Sequence, residues 1–231
     1  MAVRPDTTSP QRTTGRTRLS RELILDRALE MAAHPEVGSL RIRDLGMALG
    51  TDPSAIYRHF QNKNDLMTGL IGRLEERILA RVDADPARDW TAVLTDFSEA
   101  CLELYLAHPV VGAEAASIAT TESTDIVELI VTALHRGGLR GDALAEHYTL
   151  FASYLLSFTG AMARSRLEYG QGLADRAWAE DVRVATPRSH PVTSLYRDAI
   201  LTMRDVDVYR SGIRRILTSA AASAQPSDPA A

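Results

Sequence analysis

Cysteine is almost missing from this chain: Cys101 stands alone among 231 residues. One thiol excludes an intrachain disulfide and any zinc site built on several cysteines. Apolar runs stay short of the ~18 residues a membrane span needs. The stretch from Met1 to Arg18 has basic residues but no apolar core, so it does not read as a secretory signal. A cytoplasmic protein without membrane contact is expected. Catalytic signatures are missing too: there is no G-x-S-x-G elbow, no P-loop and no G-x-G-x-x-G. The acidic pairs Glu75-Glu76 and Glu180-Asp181 read as solvated helix faces rather than acid/base pairs. No enzyme, no catalytic residue and no cofactor is expected.

Positive charge is unevenly placed. Residues 1–82 carry 13 Lys+Arg against 10 Asp+Glu, whereas the remainder carries 13 against 20, within a net charge of −4. A mildly basic first third on an acidic remainder suggests two jobs. Strand-type alternation and internal repeats are absent, and apolar residues recur at helical spacing throughout, so the expected fold is all-α. Residues 1–18, rich in Thr, Pro and Arg, read as a flexible arm, with Arg12, Arg16, Arg18 and Ser20 available to reach over a nucleic-acid backbone or to make no contact. Residues 19–82 form a first domain, 83–223 a second, and 224–231 a disordered tail.

Within the first domain a helix starts at the N-cap Ser20 and runs to about Ala33, with Ile24, Ala28, Met31 and Ala32 as its stripe. A short helix follows over Arg41–Leu49, burying Ile42, Leu45 and Leu49. Gly50-Thr51 then makes a tight turn. Asp52 caps the next helix, Pro53 occupies its first turn, and Ile56 and Phe60 face inward. Asn62 caps a fourth helix with Leu66, Leu70, Ile71, Leu74 and Ile78 on its stripe. Two short helices braced across a glycine turn are the requirement of a helix-turn-helix, whose second helix enters the major groove. On spacing alone, a helical corner with a solvated polar face stays open as the other reading. The outer face of the second helix carries Thr51, Ser54, Ala55, Tyr57, Arg58 and His59. Tyr57 and His59 suit phosphates, Arg58 suits a base or a phosphate, and Lys63 suits a phosphate at a helix N-terminus.

The run LRIRDLGMALGTDPSAIYRHFQNKNDL, Leu40 to Leu66, resembles the N-terminal domain of TetR-family repressors. Ala48-Leu49-Gly50, Ile56-Tyr57-Arg58-His59-Phe60, Asn62-Lys63 and Leu66 carry the likeness, which extends over about Leu19–Ile71. Arg41 stands where members often have Ser or Thr, and Thr51-Asp52 where a Val-Ser pair is common. Both departures bear on which operator is read. The expected DNA-contacting set is Arg41, Thr51, Asp52, Pro53, Ser54, Ala55, Tyr57, Arg58, His59 and Lys63. The resemblance implies a homodimeric regulator on a near-palindromic double-stranded operator, released by a small-molecule effector. A regulator governed by a protein partner or by no ligand, and a small-molecule-binding helical protein with a vestigial head, are the alternatives.

Beyond residue 82 helices are expected at Trp90–Ala107, Val110–Ser117, Thr124–Arg136, Asp142–Tyr169, Val192–Met203 and Val208–Ala222, with a short turn of helix near Trp178. Leu106-Ala107-His108-Pro109 and Asp207-Val208-Tyr209 with Gly212-Ile213 resemble the tetracycline-repressor branch. That likeness implies dimerisation through residues 142–169 and 208–222. A ligand pocket could be lined by Phe97, Cys101, Tyr105, His108, Phe151, Tyr154, Phe158 and Met162; such a stripe is more often plain core, but the polar Tyr105 and His108 among apolar residues tilt it toward a pocket. His108 corresponds to a histidine that helps hold a metal-chelated drug in that branch. The acidic partner required on the long helix is replaced here by Arg164-Ser165-Arg166, so no metal is expected. The two arginines are read as solvated or interfacial, with contact to an anionic or carbonyl-bearing ligand as the other reading.

Overall fold

In the computed structural model, residues 19–34, 38–115, 123–169 and 179–224 are described. The expected arm, the end of the sixth helix at Ser117, the turn at Trp178 and the tail beyond Ala224 lie outside them. The described residues form helices and no strand: α1 (Arg21–Ala32), α2 (Ile42–Leu49), α3 (Pro53–Ile56), α4 (Lys63–Leu79), α5 (Trp90–Ala107), α6 (Pro109–Ala115), α7 (Thr124–Arg136), α8 (Gly141–Tyr169), α9 (Ala179–Arg183), α10 (Pro191–Thr202) and α11 (Asp205–Ala222).

Polar side chains at chain turns fix the starts of α1, α3 and α4. Ser20 accepts a hydrogen bond from the Leu23 amide at α1, Asp52 from Ser54 at α3, and Asn62 from Asp65 at α4. Each satisfies an amide that the helix itself leaves without a carbonyl. The α1 stripe buries Ile24, Ala28 and Ala32, with Leu25 and Leu29 widening it and Met31 half-buried. Leu45, Ile56, Phe60, Leu66 and Leu70 complete the buried centre between α1, α2, α3 and α4.

α4 also packs against α5 and α6. It therefore belongs both to the N-terminal group of helices and to the C-terminal one. The latter is organised around α8, which packs against α5, α6, α7 and α11. Phe151 is fully enclosed there, with its ring 6.4 Å from that of Phe97. α11 begins at Asp205, a turn earlier than Val208. The Arg204 guanidinium bridges to the Asp207 carboxylate at 2.7 and 2.9 Å across that turn. Asp205 and Asp207 also place negative charge at the positive end of the helix dipole. α10 buries none of its side chains, unlike α11, which follows it.

Candidate nucleic-acid interface

The exposed corner at α2–α3 rests on two glycines. Gly50 ends α2 in the left-handed region at φ 62°, which a side chain would resist. Gly46 lies buried where a Cβ would sit 3.0 Å from the Thr51 carbonyl oxygen and 3.4 Å from the Pro53 nitrogen. α3 thus crosses α2 at backbone contact. Asp52 opens α3 by accepting the Ser54 amide at 2.8 Å. Bonds from the Ser54 hydroxyl and amide hold its carboxyl below the usual carboxylate value.

α3 is one turn long, with Ile56 and Phe60 fully enclosed beneath it. Its outward face is narrower than expected. Arg41, Asp52, Ser54, Tyr57, Arg58 and Lys63 are exposed, whereas Thr51, Pro53, Ala55 and His59 are half-buried. A single turn lying directly on α2 has flanks that face the fold, which accounts for the second group. Leu49 and Ile42, expected inside, are half-buried as well; Leu45 alone of the three is enclosed.

Arg21 holds this corner from α1, a role its isolated position in the sequence conceals. Its guanidinium donates to the His59 carbonyl at 2.8 Å and to the Asp65 carboxylate at 3.2 Å, and lies 4.2 Å over the Phe60 ring. Asp65 also accepts the Gln61 amide at 2.8 Å. That amide first, and Arg21 after it, keep the Asp65 carboxyl below its ordinary value. Helix α1 thereby sets the exit from α3 and the entry to α4. Close packing continues at Gly69, where a Cβ would meet Leu25 at 2.9 Å.

The eight residues expected in a ligand pocket separate. Phe97, Cys101 and Tyr105 of α5 line a common cleft, together with Ile126 and Ile130 of α7 and Leu155 and Leu156 of α8. Its free space is about 30 Å³, room for water and far below the ~300 Å³ of a typical ligand site. Burial pushes the Cys101 thiol far up, and Glu75 adds to the effect. Tyr154 and Phe158 lie elsewhere, packed on Tyr209 of α11 with ring centroids 6.1 and 5.8 Å away. The Tyr154 hydroxyl donates to the Val208 carbonyl at 3.1 Å and occupies the place a Cβ on Gly212 would need. Tyr209 in turn donates to the Ser98 carbonyl at 2.8 Å. Half of the α8 aromatic stripe is therefore the α8–α11 seam. Phe151 is core, and Met162 packs half-buried against it.

His108 caps the end of α5, its Nδ1 3.0 Å from the Leu104 carbonyl. Among the described residues no three His, Cys, Asp or Glu side chains gather as a metal site. Arg164 and Arg166 reach the backbone instead of a ligand, donating to the carbonyls of Ala113 at 3.1 Å and Leu106 at 2.7 Å. The reading of Glu75 as solvated is overturned. Glu75 is 8% exposed and forms a wall of the cleft, while its neighbour Glu76 stays exposed. The signal was available in the spacing, since Met67, Ile71 and Glu75 fall four residues apart on the buried face of α4.

Among the described residues no helix is long and apolar enough to cross a membrane. Comparison with known proteins agrees with the corner at α2–α3. The family described as bacterial regulatory proteins, tetR family, matches residues 24–70. No curated protein sequence matches the chain. The fold is shared with a TetR transcriptional regulator of Streptomyces coelicolor at 21% identity and TM-score 0.70, covering 90% of this chain and 100% of that one. ActR of Streptomyces coelicolor, a TetR-family protein solved in complex with actinorhodin, is 18% identical with TM-score 0.69, covering 91% and 100% of the two chains. BioQ of Mycobacterium smegmatis is 20% identical with TM-score 0.61, covering 89% and 99%. The matched segment, residues 24–70, covers most of the braced helices α1 to α4, and the chain shares the fold of these TetR-family structures.

Proposed function

We propose that the chain is a homodimeric repressor that binds a near-palindromic DNA operator and leaves it when a small molecule occupies the C-terminal helices. The observation that carries this reading is the single-turn α3, which presents Ser54, Tyr57 and Arg58 outward from a corner braced by Gly46, Gly50 and Arg21. In this reading Ser54 and Arg58 meet base edges, Tyr57 and Lys63 meet phosphates, and the half-buried Thr51, Pro53, Ala55 and His59 shape the approach. Arg41 and Asp52 flank the same surface and tune which sequence is read.

Dimerisation through α8 and α11 is supported by what their outer faces carry. On α8 these are Ala145, Glu146, Thr149, Leu150, Ser153, Ser157 and Ala161, and on α11 Arg214, Arg215 and Thr218. Small side chains let two helices approach closely, and the acidic and basic residues give complementary edges. Leu150, Val192, Leu195 and Tyr196 add exposed apolar surface on α8 and α10. Selection of bound sequences from random DNA at low salt, followed by affinity measurements across salt, tests the whole reading. A defined site with two half-sites about one DNA turn apart is expected, with affinity falling steeply as salt rises. Arg58→Ala and Lys63→Ala should each weaken binding without unfolding the protein; unchanged affinity in both would remove the proposed surface. The closed cleft favours one second reading, a regulator controlled without a small molecule. Its mark would be an operator complex that no small molecule releases.

A further inference from the structure

Beside the exposed α2–α3 corner, a groove of about 290 Å³ separates two sets of elements. The loop before α2 and the start of α4 form one side, and α6 with the end of α8 forms the other. Its free space nearly reaches the ~300 Å³ at which small-molecule sites begin. The floor is apolar, since Leu40, Met67, Val110 and Ala113 are all buried. The rim carries both signs of charge, Lys63 and Arg164 against Glu114 and Glu168, all exposed. None of these four forms an ion pair with another described residue. Arg164 is tethered through one nitrogen to the Ala113 carbonyl at 3.1 Å, which leaves further donors on the same guanidinium. An anion in this groove would face two carboxylates, and a cation would face a lysine and an arginine. A small apolar body with one charge of each sign answers the floor and both halves of the rim.

We propose that this groove binds an aliphatic amino acid, with its side chain on the apolar floor, its carboxylate at Lys63 and Arg164, and its ammonium at Glu114 and Glu168. The assignment rests on the ligand-released regulator argued above and names the chemical class of its effector. Lys63 is the link to DNA, because the ligand carboxylate and an operator phosphate compete for the same ammonium group. Each bound ligand withdraws one phosphate contact from its protomer, so operator affinity falls. By linkage, operator DNA weakens the ligand by the same factor.

A charge series on one branched body tests this: L-leucine, isocaproate, which lacks the amine, and isoamylamine, which lacks the carboxylate. Each is titrated into the full chain at neutral pH by calorimetry. Leucine should bind about fivefold or more tightly than either, as expected when exposed charges of both signs are answered at once. Equal binding by isocaproate or by isoamylamine overturns the proposal, and so does the absence of leucine binding. The double variant Glu114→Gln, Glu168→Gln changes two exposed positions. It should bring leucine and isocaproate within about twofold of each other, and a leucine preference that survives it overturns the proposal. Saturating leucine should weaken the wild type on its selected operator to about the affinity of Lys63→Ala, and leave Lys63→Ala itself unchanged within about twofold. An operator affinity untouched by bound leucine overturns the proposal. So does an equal loss in Lys63→Ala, which would place the ligand away from this lysine. Failure of the regulator reading looks different, since then no DNA sequence is selected at all, while the order of the three compounds still decides the groove.

Discussion

The four N-terminal helices and the C-terminal helices around α8 are held together in different ways. In the first group, bonds from Ser20, Asp52, Asn62 and Arg21 fix the starts of α1, α3 and α4 and the exit from α3, around a core of fully buried side chains such as Ile24, Leu45, Ile56 and Phe60. In the second, a large apolar interior is joined at its ends by arginines that reach distant carbonyls. Arg136 donates to those of Pro86 and Arg88, Arg164 to Ala113, and Arg166 to Leu106. The lesson is a division of labour. Directional bonds are concentrated around the α2–α3 corner, whereas the C-terminal helices pack around a narrow cleft. α4 takes part in both and so joins them.

The largest expected effect lies in the C-terminal group. Phe151→Ala removes a ring with no exposure that packs on Phe97. A loss of about 3–5 kcal/mol is expected from the lost burial and the remaining cavity. Urea unfolding should show it as a shifted midpoint. A loss below about 1 kcal/mol would mean that α8 repacks freely, and the contrast between the two groups would be sharper than drawn.

The matching disruption in the N-terminal group is Gly46→Val. A Cβ alone would sit 3.0 Å from the Thr51 carbonyl, and the branches of valine would meet backbone and the rigid Pro53 ring. About 1–3 kcal/mol is expected from overpacking, with DNA affinity falling by far more than stability because α3 itself is displaced. Affinity and unfolding measured on the same preparation check this. Equal affinity would show that the corner yields without cost.

Much of this corner was legible in the sequence because its determinants are local. Ser20, Asp52 and Asn62 bond within three residues of themselves, and Ile56 and Phe60 sit at helical spacing from each other. What was not legible depended on distant partners. Arg21 braces residues 38 and 44 positions away, which no local pattern discloses. Tyr154 and Phe158 share a stripe with Phe151, yet only the arrival of Tyr209 turns them toward α11. Glu75 is the instructive error. Charge suggested solvent while position suggested burial, and in the middle of a long helix packed on both sides position prevailed. The early start of α11 follows from the Arg204–Asp207 pair, again a matter of side chains that extend a helix beyond its apolar pattern.

Arg21→Ala probes the polar brace with a smaller effect. The side chain is 43% exposed, so its pairing with Asp65 is screened by solvent. Losing the bond to the His59 carbonyl and the contact over Phe60 should nonetheless cost about 1 kcal/mol. Arg21→Lys should recover only part, because an ammonium cannot serve a carbonyl, a carboxylate and a ring face at once. Denaturation of the three proteins side by side decides it. Full recovery by lysine would reduce the brace to a simple charge.

The smallest effect concerns His108, where α5 ends near α4. Burial lowers its pKa below the ordinary 6.5, and Arg77 and Arg81 of α4 lower it further, against the raising effect of the bond to the Leu104 carbonyl. A histidine that protonates less readily when folded contributes nothing adverse above pH 6.5. Below that value the unfolded chain takes up the proton first, so stability falls as pH drops from 6.5 toward the folded value. Urea midpoints of the wild type and His108→Gln, each compared at about pH 7.5 and pH 5.5, isolate this contribution from the other histidines. The wild type should lose more stability on acidification than the variant does. An equal loss would mean that the ring titrates as freely in the fold as outside it, and that the α4–α5 contact carries no charge sensitivity at this position.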